Sequence, residues 1–195
     1  MNTTFEVDAG VCFGHWDNHT SKFLYHDIMP VCLNGIDVSG KVADFGGANG
    51  LLKEFIPQSI SIDLDISKKP DILEDIVSHV GNYNLIVIRY VLHYLEDSKV
   101  KELFQHISTY HKGKILVIQF VNEDLEIKKF NSVNETKWFR TEKETRELLS
   151  QNCEILDYKA INYFVSEEFY RARLLHPNPK AHRETVMSYY LSVGK

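Results

Sequence analysis

The stretch VADFGGANGLL, residues 42–52, decides the fold of this chain. Its apolar start, which ends at Phe45, is typical of a buried strand, and the leucines at its end begin an apolar helix face. Between them, Gly46, Gly47 and Gly50 permit positive φ angles and let a ligand approach the main chain closely. A strand, a glycine-rich turn and a helix in this order predict a site for a nucleotide-like ligand, because the helix start presents free amide groups.

The spacing of these glycines separates two kinds of nucleotide site. A dinucleotide fingerprint has the form G-x-G-x-x-G, and this turn does not match it. From Asp44 the turn reads D-x-G-x-A-x-G. This pattern resembles the first motif of the class I S-adenosylmethionine-dependent methyltransferases, (D/E)-x-G-x-G-x-G, with Ala48 in place of the central glycine. The motif alone is also compatible with a tight turn that binds nothing.

Apolar strand-like segments alternate with helical ones along the rest of the chain. We expect strands over residues 42–45, 59–63, 71–73, 84–89, 114–121, 155–160 and 185–193. We expect helices over 20–33, 51–56, 74–80, from 97 or 98 to an end at 111–113, and over 141–150. Pro30 is expected to kink or end the first helix. Asp97 or Ser98 is expected to cap the fourth, and a capping box at Thr141 opens the last.

This order predicts an α/β protein with a Rossmann-like, doubly wound, mostly parallel sheet, an antiparallel last strand and helices on both faces. It is similar to the class I methyltransferase fold over residues 38–195. We expect one domain of 195 residues, in which 1–37 form an N-terminal helical segment or lid. The long segments 122–139 and 165–183 are expected to cover the substrate.

Acidic residues follow the second and third strands of the predicted sheet. In the family that the chain resembles, an acid after the second strand binds both ribose hydroxyls, and Asp63 matches that position. Asp65 competes with it, because residues 60–65 allow two registers. The family's third acid meets the adenine amino group, and the next backbone amide meets the ring. Asp75 and Ile76 match these positions, and Asp75 could also cap the following helix.

The block YNLIVIRYVLHYL, residues 83–95, is similar to the family's fourth strand and its Leu-His end. Asn84 replaces the commoner acid, and Arg89 and Tyr90 would lie beside the methionine part and the transferred methyl group. The resemblance implies S-adenosyl-L-methionine as cofactor. The implied contact residues are Asp44, Gly46, Gly47, Ala48, Gly50, Asp63, Leu64, Asp75, Ile76, Arg89 and Tyr90. The signature (D/N/S)-P-P-(Y/F) is absent, which argues against base amines and glutamine side chains as acceptors.

Methyl transfer of this kind is a direct in-line displacement, so the protein mainly supplies proximity and alignment, which can contribute ~7–11 kcal/mol. A general base is needed only where the nucleophile must lose a proton. His93 is a candidate because imidazole titrates in the right range, although a histidine here in the family is often a packing residue. His15 is the second candidate, either as a base on a lid or as a surface residue of a mobile arm.

Composition and charge limit the kinds of partner that we expect for the chain. The net charge is -5 and no basic run occurs, which argues against a nucleic-acid substrate. Arg171 and Arg173 either hold an anionic acceptor or are solvated helix charges. The apolar run 85–92 is too short to cross a membrane. Because the start of the chain lacks a secretory signal pattern, we expect a cytoplasmic protein.

The three cysteines are far apart, and free thiols are the simplest interpretation of them. Cys12, His15 and His19 have loosely metal-like spacing, but no ligand pair repeats, so no metal site is predicted.

These features predict a small-molecule methyltransferase that moves the methyl group to an O, N or C atom of a small acceptor, with aromatic acceptors among the candidates. A methyltransferase acting on a peptide or RNA is the alternative. The alternative of another class is a partner subunit that binds S-adenosylmethionine without catalysis. The acceptor, its reacting atom, the need for a base and the oligomeric state do not follow from the sequence.

Overall fold

The computed structural model describes residues 3–7, 29–121, 129–131, 136–165 and 184–195. In these segments the strands β1 to β10 are Thr3–Val7, Val42–Phe45, Ile60–Asp63, Ile72–Leu73, Leu85–Arg89, Lys114–Val121, Lys129–Asn131, Thr136–Trp138, Cys153–Val165 and Glu184–Gly194. The helices α1 to α3 are Met29–Leu33, Asp97–Tyr110 and Glu142–Ser150. Short 3-10 helices lie at Leu51–Glu54, Ile66–Lys68 and Leu92–Tyr94.

Eight of these strands form one sheet in the order β1-β9-β10-β6-β5-β2-β3-β4. Strand β10 runs antiparallel to β6 and β9, and all other pairs in this sheet are parallel. The predicted Rossmann-like sheet with an antiparallel last strand is therefore confirmed. The chain proceeds from β2 outward to β4 and then returns to the other side of β2 as β5. The junction of β2 and β5 is thus the topological switch point, where open α/β sheets bind ligands.

Successive side chains of the central strands point to opposite faces of the sheet and belong to two separate apolar clusters. On one face, Phe45, Ile88 and Val117 pack with helices α2 and α3. On the other face, Val87 and Ile118 pack with α1 and the 3-10 helix after the glycine turn. The predicted cover of helices on both faces is confirmed, and α2 buries the four apolar residues expected from its period, Val100, Leu103, Phe104 and Ile107.

The structure corrects several local expectations. Residues 3–7 were expected to belong to a helical segment or lid, but they form the edge strand β1, which pairs with β9. Thr3 lies opposite Ile161, so the two partners are about 158 positions apart in the chain. The helix expected over 51–56 is a four-residue 3-10 helix, since the chain must turn at Pro57 to enter β3. The helix expected over 74–80 is a turn held by side chains.

The boundaries of the helices also differ in detail. Helix α1 continues past Pro30 to Leu33, and residues 20–28 lie outside the described part of the chain. Helix α2 has Glu96 at its N-cap, because the carboxylate of Asp97 is engaged by an arginine instead. The capping box of α3 at Thr141 is confirmed. Among the described residues, no helix combines the length and the apolar character needed to cross a bilayer.

Candidate functional site

A buried ion pair lies at the switch point of the sheet. Asp44 is the third of the four buried residues of β2, Arg89 is the last residue of β5, and parallel pairing of these strands brings the two side chains together. The Arg89 Nη2 atom lies 3.2 Å from Asp44 Oδ2, and the two side chains are only 2% and 1% exposed. Both point to the sheet face that carries α1, as the alternation of the neighbouring residues requires.

The electrostatic balance at Asp44 is set mainly by burial. Burial raises the pKa of Asp44, the Arg89 guanidinium opposes this rise, and the negative charge of Asp63 adds to it. The second carboxylate oxygen, Oδ1, is buried and has no hydrogen-bond partner among the residues that the structure describes. A buried acceptor without a partner is unfavourable, so this oxygen is suited to accept from a bound ligand.

The glycine turn packs closely on its surroundings. The N–H of Gly46 donates to the carbonyl of Ile62, 2.8 Å away, which ties the turn to the end of β3. A Cβ at Gly46, where φ is +69°, would collide with the Val91 side chain. A Cβ at Gly47 would stand 2.7 Å from the Asp44 carbonyl oxygen. Residues larger than glycine do not fit at these two positions, because the turn packs directly against Val91, just after β5, and against Asp44.

Asp63, rather than Asp65, faces the glycine turn. Its Oδ2 accepts a hydrogen bond of 2.9 Å from the N–H of Ala48, and its Oδ1 accepts one of 2.9 Å from the N–H of Asp65. Asp65 instead caps the next 3-10 helix, where its Oδ1 accepts from the N–H and hydroxyl of Ser67 and these bonds lower its pKa. Leu64 between them is exposed.

Ala48 adopts a left-handed conformation, with φ at +45°. A side chain at such a position costs about 1–2 kcal/mol, which glycine avoids while gaining entropy in the unfolded chain. We expect Ala48→Gly to stabilise the protein by up to about 1 kcal/mol in urea unfolding. The same change at Ala43, in the extended strand β2, is the control and should destabilise. A loss of stability in both variants would contradict the strain at Ala48.

The third predicted acid caps its own turn. The Oδ1 atom of Asp75 accepts from the N–H of Val77 at 2.9 Å, and the side chains of Ile76 and Val77 are buried in the α2 face of the core. The capping interpretation of Asp75 thus holds, although the element it caps is a turn and not a helix. Contact of Asp75 and Ile76 with adenine remains a prediction.

The chain bends sharply as it leaves β5. Tyr90 has φ at +56°, and its N–H donates to the carbonyl of Ile118 at 2.9 Å. Left-handed conformations of non-glycine residues concentrate at functional sites. The bend leads into the 3-10 helix that carries His93, whose Nδ1 lies 3.3 Å from Nε2 of Gln119 on β6. Arg89, Tyr90 and His93 therefore all lie at the predicted carboxyl-end edge.

Arg140, which the sequence analysis did not single out, holds this 3-10 helix in place. Its guanidinium donates to the carbonyl oxygens of Leu92 at 2.7 Å and Leu95 at 2.6 Å. The Nε atom donates to the Asp97 carboxylate at 2.8 Å. Arg140 lies two residues after β8, so it connects the end of β8 to the segment that follows β5. No periodic sequence signal marks such a residue, because its partners are more than forty positions away.

His111 ends α2 in an aromatic environment. Its ring lies 5.9 Å from the Phe45 ring and 6.1 Å from the Tyr83 ring, measured between centroids. Its Nε2 lies 3.3 Å from the carbonyl oxygen of His79. Burial lowers the pKa of His111, the carbonyls of His79 and Gly81 oppose this, and the imidazoles of His106 and His79 add to the lowering.

This lowered pKa predicts a stability that falls in mild acid. The unfolded chain takes up a proton at His111 near an ordinary histidine value, about 6.5, whereas the folded chain does so only at lower pH. The unfolded state therefore binds more protons between the two values, and the free energy of unfolding falls as the pH drops through that window. Thermal melts from pH 7.5 to 5 should show a shallower decline for His111→Gln. Parallel profiles would contradict the assignment.

Other predicted features lie outside the described residues. They are His15, Cys12, His19, Arg171 and Arg173, together with most of segment 165–183. Cys32 and Cys153 are free thiols, as expected, and the structure shows that both are buried. No group of three or more His, Cys, Asp or Glu side chains suited to a metal ion occurs in the described part of the chain.

Comparison with known proteins bears on the fold. No protein-family model matches the chain, and no curated protein matches its sequence. Solved structures do match. The 1,6-didemethyltoxoflavin N1-methyltransferase of Burkholderia thailandensis, solved with S-adenosylhomocysteine and 1,6-didemethyltoxoflavin, is 13% identical with a TM-score of 0.64, over 91% of this chain and 81% of that one.

Two further structures show the same likeness. An O-methyltransferase from a trans-AT polyketide synthase of Brevibacillus brevis is 15% identical with a TM-score of 0.60, over 86% of this chain and 71% of that one. A glycopeptide N-methyltransferase is 11% identical with a TM-score of 0.61, over 86% of this chain and 88% of that one. Both were solved with S-adenosylhomocysteine. This chain therefore has the Rossmann-like fold of the class I S-adenosylmethionine-dependent methyltransferases.

Proposed function

We propose that this protein is an S-adenosylmethionine-dependent methyltransferase that acts on a small-molecule acceptor. The observation that carries the proposal is the junction of β2, β3 and β5. There the glycine turn, Asp63 and the buried Asp44–Arg89 pair lie together at the carboxyl ends of the strands. The structures of similar fold that contain S-adenosylhomocysteine support the choice of cofactor.

The groups at the junction fit the chemistry of this cofactor. Its methionine part carries an ammonium, which needs a hydrogen-bond acceptor, and a carboxylate, which pairs with a cation. Asp44 Oδ1 is a buried acceptor without a partner among the described residues, and the Arg89 guanidinium lies next to it. Asp63 supplies carboxylate oxygens for a ribose, and the exposed side chains of Leu64 and Ile66 offer apolar surface to a purine ring.

When bound, the cofactor supplies a methyl group on a sulfonium, which a nucleophile displaces directly. The residues of this chain bind and align it, and an acceptor that must lose a proton needs a base. In the structure the Gln119 amide nitrogen lies 3.3 Å from His93 Nδ1, so Nδ1 accepts and Nε2 carries the hydrogen. His93 is the proposed base after rotation of the Gln119 carboxamide, because the carboxamide oxygen then accepts from Nδ1–H and Nε2 takes the proton.

A thermal-shift titration tests the cofactor directly. A ligand that binds only the native state raises the melting temperature as its concentration passes the dissociation constant. We expect stabilisation by S-adenosylmethionine and S-adenosylhomocysteine and none by NAD, since the turn lacks the dinucleotide spacing. The absence of a shift from both adenosyl compounds would contradict the proposed function.

The acceptor class is tested by following S-adenosylhomocysteine release. We expect turnover with a panel of small phenols, amines and carbon acids. Turnover with peptides or RNA alone would move the assignment to a macromolecular acceptor. Cofactor binding without turnover on any panel would favour the partner-subunit alternative.

Asp63→Ala is expected to weaken S-adenosylhomocysteine binding at least about tenfold in calorimetry. The change removes the predicted ribose contact and also the acceptor of the Ala48 N–H, so the glycine turn loses one of its bonds to β3 and keeps the backbone bond from Gly46 to Ile62. Asp65→Ala is the matched control and should keep wild-type affinity, because Asp65 bonds only within its own turn in the described contacts. Lost binding in Asp65→Ala with retained binding in Asp63→Ala would move the ribose assignment to Asp65.

A further inference from the structure

The turn between β4 and β5 lacks the helix that the sequence predicts there. Its conformation therefore depends on individual side chains. Ile76 and Val77 anchor it in the core, and the N–H of Ser78 donates to the Asp75 carbonyl at 3.0 Å. The remaining anchor is His79, whose side chain is 5% exposed.

The ring of His79 joins the two ends of this turn. Its Nδ1 lies 2.6 Å from Glu74 Oε2, and its Nε2 lies 2.9 Å from the Tyr83 hydroxyl. The N–H of Glu74 in turn donates to the Asp63 carbonyl at 3.2 Å. A Cβ at Gly81 would collide with the Tyr83 ring, so the turn and the ring are closely packed. The contacts thus run without a break from Asp63 to the start of β5.

One neutral tautomer of His79 satisfies both side-chain contacts. With its proton on Nδ1, the ring donates to the Glu74 carboxylate and accepts from the Tyr83 hydroxyl. Burial, and then the negative charge of Glu74, raise the pKa of Tyr83, so its hydroxyl keeps the hydrogen that it donates. The ring is therefore held in one orientation.

The backbone of His79 is fixed to helix α2 by a separate set of contacts. Its carbonyl oxygen lies 2.9 Å from Nε2 of His106 and 3.3 Å from Nε2 of His111. The Phe45 and His79 rings also form a T-shaped contact, with centroids 5.8 Å apart and planes at 87°. Variants of the His79 side chain leave the carbonyl contacts in place, so they isolate the contribution of the ring.

We propose that His79 is a positioning residue for the cofactor: through Glu74 and Tyr83 it holds the turn that presents Asp75 and Ile76 to adenine beside Asp63. The inference rests on the proposed function. His79 lies inside the core and acts only through its neighbours. The backbone amide of Ile76 lies in a turn and not in a helix or strand, so side-chain contacts must fix its position. Its position relative to Asp63 matters because the amide is proposed to meet adenine while Asp63 binds the ribose of the same nucleoside.

Calorimetry with S-adenosylhomocysteine tests this role, together with thermal melts of the same proteins. We expect His79→Leu and Glu74→Ala to weaken binding about tenfold. His79→Asn places an amide nitrogen near the Nδ1 position and should keep affinity within about threefold of wild type, because the Glu74 contact survives. Leu103→Ala, a core truncation in α2, is the control that should lower the melting temperature and leave affinity unchanged.

The outcomes separate the inference from the proposed function. Failure of the wild-type protein to bind S-adenosylhomocysteine overturns both. Wild-type binding with equal affinity in His79→Leu, measured well below its melting temperature, overturns the positioning role alone. A loss of affinity in Leu103→Ala as large as that in His79→Leu would assign the effect to general destabilisation and would also overturn it.

Discussion

Arg89→Met is expected to destabilise the protein by about 3–5 kcal/mol, because it leaves the Asp44 carboxylate buried without its cation. The two side chains are almost completely removed from water. A carboxylate in that position keeps its charge only at a large desolvation cost. Methionine fills a volume similar to the aliphatic part of arginine, so the loss reflects the missing charge more than a cavity. Urea unfolding at pH 7 measures it.

The pH dependence of this variant identifies Asp44 as the cause. Burial already raises the pKa of Asp44 against the opposing charge of Arg89, and removing the arginine raises it further. A group with a folded pKa above its unfolded value contributes stability that is lost as the pH rises through the folded pKa. The deficit of Arg89→Met relative to wild type should therefore grow from pH 5 to pH 8.

The double variant Asp44→Asn, Arg89→Met completes the test. It removes both charges at nearly constant volume, and we expect it to recover most of the stability lost in Arg89→Met, with little remaining pH dependence. A double variant as unstable as Arg89→Met would show that packing around residue 89, and not the unpaired carboxylate, explains the loss. A single variant with wild-type stability would contradict the buried pair altogether.

The sequence predicted the parts of the site that follow directly from strand ends. Asp63 and Arg89 are the last residues of their strands and Asp44 is the last but one of its own, and parallel strands bring their carboxyl ends to one edge. Their grouping thus follows from the order of the strands alone. The antiparallel pairing of the last two strands was predictable from the sequence between them, because that segment carries Pro177 and Pro179, which disfavour a crossover helix.

The parts that the sequence did not predict depend on contacts between distant residues. Asp97 or Ser98 was expected to cap α2, yet Glu96 stands at the N-cap and the carboxylate of Asp97 meets Arg140, which lies 43 positions away. The helix expected over 74–80 is replaced by a turn, because His79 binds Glu74 and Tyr83 at the two ends of this segment. Buried polar side chains such as these have no hydrophobic period, so periodicity reveals neither them nor the irregular backbone they hold.

The second large effect is expected at Arg140. Arg140→Ala should destabilise the protein by about 3 kcal/mol, because the carbonyls of Leu92 and Leu95 lose the guanidinium donors and the buried Leu92 carbonyl keeps only its 3.2 Å bond from the N–H of Leu95. The guanidinium itself is only 6% exposed. The segment between these carbonyls carries His93, so the histidine should also lose its fixed orientation. Urea unfolding measures the first effect, and imidazole NMR resonances of His93 measure the second.

Two matched variants separate the carbonyl contacts from the ion pair. Asp97→Ala removes only the carboxylate partner, whose side chain is 67% exposed, and exposed ion pairs contribute little, so a small loss is expected. Arg140→Lys keeps the charge but cannot donate in three directions from one rigid plane, so it should fall between Asp97→Ala and Arg140→Ala. Equal losses in Asp97→Ala and Arg140→Ala would mean that the ion pair alone holds the exit of β5. The order Asp97→Ala, Arg140→Lys, Arg140→Ala, with His93 resonances broadened only in the last two, would establish that the guanidinium of Arg140 holds the 3-10 helix of the candidate site in place.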